Sequence, residues 1–286
     1  MPWVASSQEE ILSSSPSQRQ CERTAFAFYC AVREQLPVWL LEDMRTMEVF
    51  CWEDGHPRAF SHSEALLYAL VHDHQDYARY LLHTHAASAL RAPRCSFCCC
   101  RSSGAPHLNV AVRYDRVRIL GMIVEALQGG AAERVTRDYI NSCGGCAHVA
   151  DSGKAAAELA VELSRPDCLL LLLAHGAQPH GVDAALQRVE AARAPEERQD
   201  ALRCLDFLLL FLPKPEALRL LSSDSGRWQE LLGTEVFNWL CGLAPPSLLL
   251  QSLRSLAQEV PSQLSHLPNF LQLQSWQKPL SPWRHT

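Results

Sequence analysis

Apolar positions along the chain fall into a helical rhythm from Ala25. Phe28, Val32 and Leu36 stand four apart with Tyr29 beside them, until Pro37 interrupts the run. Val38-Trp39-Leu40-Leu41 opens a second apolar stretch. The pattern predicts two short helices within an N-terminal cap over 23–56, with an apolar face that needs a partner. Residues 1–22 are rich in Ser, Gln and Glu, lack that rhythm and read as a loose, disordered tail.

A repeated unit follows. Leu66 precedes Ala69 by three positions, as Leu108 precedes Ala111 and Ala157 precedes Ala160. In each case a second apolar run begins about thirteen residues after the unit starts, a spacing found in ankyrin repeats. These runs are Asp76–Leu82, Arg118–Val124 and Asp167–Leu173. The pattern resembles the ankyrin repeat. The resemblance makes Ala69, Ala111 and Ala160 the buried small residues where two helices approach. It makes Leu81, Ile123 and Leu172 second-helix core positions, and Gly176-Ala177 the closing turn. The predicted array covers 57–212, with units near 61–86, 103–128 and 152–179 and a degenerate one over 181–212. Units start 42 and 49 residues apart, so insertions near 86–104 and 126–152 are expected to loop out. In the last unit Leu205, Leu208, Leu209 and Leu212 share a helical face.

Pro213 and Pro215 end the array, and a helical linker is predicted over 213–241. Pro245-Pro246-Ser247 is then a helix-start signal. Leu248, Leu249, Ser252, Leu253 and Leu256 fall on one stripe, with Leu250 apolar off it. Residues 242–273 resemble a SOCS box, leaving 274–286 as a tail. Ser247, Leu248, Ser252 and Leu256 match its opening, with Ser252 where the family usually has Cys. The resemblance implies that Leu248 enters a pocket on elongin C, within the elongin B/C pair. Leu264, Leu267, Pro268, Phe270 and Leu271 match part of the cullin-contacting segment. Asn269-Phe270 replaces its second Pro, which leaves a cullin-5 or cullin-2 type open.

The expected fold class is therefore all-α: an ankyrin-repeat solenoid with N-terminal helices and a C-terminal SOCS-box-like helical module. Longer strings, among them Leu36–Arg45, Ser63–His74 and Gly242–Leu248, resemble one family of ankyrin-repeat proteins carrying such a C-terminus. That resemblance implies a substrate receptor of a cullin-RING ubiquitin ligase. It also implies IMP dehydrogenase as a candidate target and a cytosolic or vesicle-associated location. Two other readings stay open: an ankyrin scaffold whose terminal helix only caps the array, and a metal- or redox-responsive binder.

Composition removes other classes. Lys+Arg is 26 against Asp+Glu at 31, a formal charge of −5, so no basic field draws the chain to nucleic acid or an anionic membrane. Hydrophobic residues are 48%, which supports a packed core. No purely apolar run, Cys168–Ala174 included, is long enough to span a bilayer. The N-terminus lacks the basic start and apolar core of a secretory signal. The 12 cysteines are accordingly expected as thiols in a reducing compartment.

The competing chemistry is metal binding. Cys95-x-x-Cys98 and Cys143-x-x-Cys146 offer four thiolates, enough for a tetrahedral zinc or copper site. Their separation of 45 residues is wider than in a compact zinc ribbon. The reading adopted is two Cys-bearing loops, no metal and no cofactor. His72-Asp73-His74 falls between two predicted helices and reads as a solvated turn, with His83 and His85 ending the same unit. Gly153-Lys154 fails as a phosphate loop because His148 occupies the required glycine position. No Gly-x-Ser-x-Gly elbow or His-Glu-x-x-His occurs, so no enzyme is expected.

Overall fold

A computed structural model describes residues 16–47, 49–50, 57–93, 106–130, 133–144, 151, 153–212, 225–260 and 264. Fourteen helices and two two-residue strand pairs lie among them. The fold is an all-α helical-repeat fold. The chain divides into two units, Met1–Ala156 and Ala157–Thr286.

The first unit is a series of helix pairs. Its elements are α1 (Pro16–Arg33) with α2 (Val38–Thr46), α3 (His62–His72) with α4 (Gln75–Ala89), and α5 (His107–Arg113) with α6 (Val117–Gly130). First helices pack on first helices, α1 on α3 and α3 on α5; second helices do the same, α2 on α4 and α4 on α6. A repeat can bury its apolar face only against a neighbour, which is why the pairs stack in register. Ala69, Ala111, Leu81 and Ile123 are fully buried, as the repeat pattern predicts.

One backbone device recurs at the turn inside each helix pair of this unit. Asp73 and Asp115 sit in the left-handed region, at φ 55° and 56°. The next residue's N–H then reaches back to the carbonyl of the repeat alanine: His74 to Ala69 at 2.9 Å and Arg116 to Ala111 at 2.8 Å. This is the helix-ending bond of a Schellman turn, which satisfies a carbonyl the helix leaves orphaned. The same turn closes α1, where Gln35 is at φ 58° and Leu36 N–H bonds Ala31 at 3.1 Å. The α1–α2 pair is thus built like the repeats that follow it. Its register was not legible because Ala31 lies among bulky aromatic and β-branched neighbours.

Three sequence expectations change here. Helix α1 begins at Pro16, inside the stretch read as tail; proline is well suited to a first helical position. The insertion near 126–152 does not simply loop out. It holds α7 (Glu133–Ile140), anchored by buried Thr136 and Ile140, with the Thr136 hydroxyl donating to the Leu127 carbonyl at 3.1 Å. It also holds β3 (Cys143–Gly144), paired antiparallel with β4 (Lys154–Ala155); β1 (Val49–Phe50) and β2 (Pro57–Arg58) form the other pair. Third, His72-Asp73-His74 is not a solvated turn. His74 is buried: its Nδ1 accepts from the Tyr77 N–H as the N-cap of α4, and its Nε2 lies 3.0 Å from the Leu36 carbonyl. An Nδ1 that accepts leaves the proton on Nε2, so His74 ties the α3–α4 pair to the one before it. Arg116 does the same one unit on, donating to the Leu70 and Val71 carbonyls at 3.1 and 2.9 Å.

The second unit contains α8 (Ala156–Glu162) and α9 (Pro166–Ala174), then α10 (Val182–Ala191) and α11 (Pro195–Phe211). Ser164, at φ 52°, closes α8, and the Arg165 N–H reaches the Ala160 carbonyl at 2.8 Å. In the apolar run of α9, Leu169, Leu172 and Leu173 are buried while Leu170 and Leu171 are only half-buried. Helix α11 packs on both α9 and α10 and buries Leu205, Leu208 and Leu209. Two short helices, α12 (Ser225–Leu232) and α13 (Thr234–Leu240), pack together with Trp228 and Trp239 turned inward. The last helix, α14 (Leu248–Glu259), lies on α11.

Candidate functional site

Helix α14 is built to be held on one side and open on the other. Pro245-Pro246 ends the preceding turn, and Ser247 caps the helix, its hydroxyl accepting from the Leu250 N–H at 3.3 Å. Gln251 donates back to the Pro246 carbonyl at 2.8 Å and closes the first turn. Leu250, Leu253 and Ala257, at i, i+3 and i+7, are buried. Arg254 lies over the Trp239 ring at 5.2 Å and bonds the Leu212 carbonyl, which fixes the rotation of the helix.

That rotation splits the stripe read from the sequence. Leu253 faces inward, and Leu250, off that stripe, is buried with it. Leu248 is 81% exposed and Leu249 42%, with Leu243 nearby in sequence at 72%. Ser252 is exposed and Leu256 half-buried. So of Ser247, Leu248, Ser252 and Leu256, one caps the helix and three leave at least part of their side chains in solvent. Leu267, Pro268, Phe270 and Leu271 lie outside the described residues, and Leu264 is buried.

The cavity under the start of α14 has an unusual wall. Asp206, Leu209, Glu235, Val236, Ser247, Leu249 and Leu250 enclose about 60 Å³. The Asp206 Oδ2 is sealed from solvent and has no hydrogen-bond partner among the described residues, and burial pushes the carboxyl up to about 8. The acid is therefore largely protonated at neutral pH, and no pattern in the sequence marks it.

The cysteine pairs are not brought together among the described residues. Cys143 is exposed on β3, while Cys95, Cys98 and Cys146 lie outside them. Cys168 and Cys204 are buried among leucines, and burial pushes the Cys204 thiol up, away from reactivity.

A curated mouse (Mus musculus) protein, ankyrin repeat domain-containing protein 9, is 42% identical to this chain over 89% of its length and 90% of the relative's. The chain belongs to the family of ankyrin repeat domain-containing protein 9. No protein-family model and no solved structure matches it. Family membership, with the stacked helix pairs, makes this a repeat-built binding protein for protein partners. No described helix is long and apolar enough to cross a membrane.

Proposed function

We propose that this chain is the substrate-recognition subunit of a cullin-RING ubiquitin ligase. Its helix pairs would hold a target protein, with IMP dehydrogenase as the candidate. Its C-terminal helices would hold elongin B/C and a cullin, leading to ubiquitination and proteasomal degradation of the target. The observation that carries this reading is Leu248. A leucine held 81% exposed at the first turn of a capped helix, with Leu249 beside it, is an anchor without a pocket among the described residues. Partner interfaces draw most of their energy from a few such anchors.

The scaffold reading also has an observation behind it, because Leu250, Leu253 and Ala257 let α14 cap the unit. The two roles use opposite faces and are separable. Leu248→Asp, in full-length protein co-expressed with elongin B/C, should abolish co-purification. It should leave the unfolding midpoint nearly unchanged, since exposed positions usually cost under about 0.5 kcal/mol. Leu253→Ala should instead destabilise the fold. Retained elongin binding in Leu248→Asp would exclude the ligase reading and leave the cap.

A further inference from the structure

The first unit gathers a second set of donor side chains, unrelated to α14. Glu42 on α2, His62 at the start of α3 and His85 on α4 each present one ligand atom, and the three atoms lie within 4.8 Å of one another. All three residues are half-buried. The two imidazoles stack with centroids 3.9 Å apart and planes 22° apart.

Two features show that these groups are held rather than scattered. First, α4 loses its helical dihedrals at His85, with φ −132° and ψ 28°. Sharp departures of this kind usually trace to proline, glycine or an inserted group. The stretch from Tyr80 to Ala89 has neither residue. The distortion occurs at the residue whose ring covers His62. Second, the hydrogen bonds fix one tautomer. The Ser88 hydroxyl donates its single proton to the His85 carbonyl at 3.0 Å, so at 3.0 Å from His62 Nδ1 it accepts. His62 therefore carries its proton on Nδ1 and keeps the Nε2 lone pair. A ligating histidine is commonly oriented by a hydrogen bond at its other nitrogen. Glu42 is oriented as well, accepting from Arg45 at 2.8 Å on both oxygens and from the Tyr77 hydroxyl at 2.7 Å.

We infer that Glu42, His62 and His85 form a binding site for a zinc-class divalent cation. Two imidazole nitrogens and one carboxylate oxygen are a common zinc donor set, leaving a fourth position for water or a partner's side chain. Arg45 neutralises Glu42, so the site brings no net negative charge of its own. Affinity rests on the imidazoles and falls below that of a thiolate site. The proposed donor set contains none of the four cysteines read from the sequence.

The test is equilibrium dialysis of the reduced, full-length chain against zinc chloride, with metal analysis. The variants are His85→Ala, His62→Ala, His83→Ala and the chain with Cys95, Cys98, Cys143 and Cys146 changed to Ser. Loss of one zinc equivalent is expected in each of the first two and not in His83→Ala, whose native ring is exposed. The cysteine variant should keep that equivalent. Unchanged zinc uptake in His85→Ala, or loss of the equivalent only with the cysteines, overturns the assignment. Cobalt(II) bound to the unaltered chain gives a check that needs no folded variant. Visible d–d bands must persist in the cysteine variant without a thiolate charge-transfer band; cobalt signals of thiolate origin alone reject the site.

Discussion

Replacing Asp206 by Asn should stabilise the second unit by an amount that grows with pH. The unfolded carboxyl ionises near 3.8, while the folded one holds its proton up to about 8. Between those values the native state binds a proton that the unfolded state has released, so native stability falls as pH rises. Each pH unit is about 1.36 kcal/mol, which puts the cost at pH 7 at no more than about 4 kcal/mol. Water entering the adjoining cavity lowers that ceiling. Asparagine keeps the shape and cannot ionise, so its stability lacks this slope. The assay is thermal unfolding of wild type and variant from pH 5 to pH 8, followed by tryptophan fluorescence. Trp228 and Trp239 are buried in the same unit and report its melting. Subtracting the two curves removes every titration they share. The difference should be small at pH 5 and reach on the order of 10 °C at pH 8. A difference that stays constant across the range would refute the argument, because it would mean the carboxylate is ionised and solvated throughout.

Other outcomes follow from the same reasoning. Leu253→Ala removes a buried contact between α14 and α11 and should cost about 2–4 kcal/mol in urea unfolding. His107 is fully buried, its Nε2 3.0 Å from the Ser63 hydroxyl, and burial lowers it to about 4. Below its unfolded value of 6.5 the unfolded chain takes up a proton first, so stability present at neutral pH is lost on acidification. His107→Gln should remove up to about 3 kcal/mol of that acid sensitivity between pH 6.5 and 4, read by denaturant midpoints. Ser164→Gly should stabilise by up to about 1 kcal/mol and Ser164→Val should destabilise by about 1–2 kcal/mol, because the residue sits at φ 52°.

Legibility in the sequence followed the range of the interaction. Ala69, Ala111 and Ala160 were found because a helix pair leaves a local period, and all three are fully buried. Ala31 carries the same turn and escaped, since the aromatic Phe28 stands three positions before it where the recognised units have Leu or Ala. The start of α14 was legible from Pro-Pro-Ser, but its rotation was not. Rotation is set by Arg254 reaching Trp239 and Leu212, contacts far away in sequence. His74 looked like turn decoration because polar runs between helices are usually wet; its burial depends on Leu36, 38 residues earlier. Glu42, His62 and His85 come from three helices and share no motif, whereas Cys95, Cys98, Cys143 and Cys146 drew notice through spacing alone.

The turns at Gln35, Asp73, Asp115 and Ser164 follow alanines spaced 38, 42 and 49 residues apart. Each is closed by main-chain atoms within a handful of positions, so none depends on how much polypeptide separates it from the next. Length between pairs is therefore an independent variable. A frame of this kind lets the excursions between pairs grow or shrink while the joints stay unaltered.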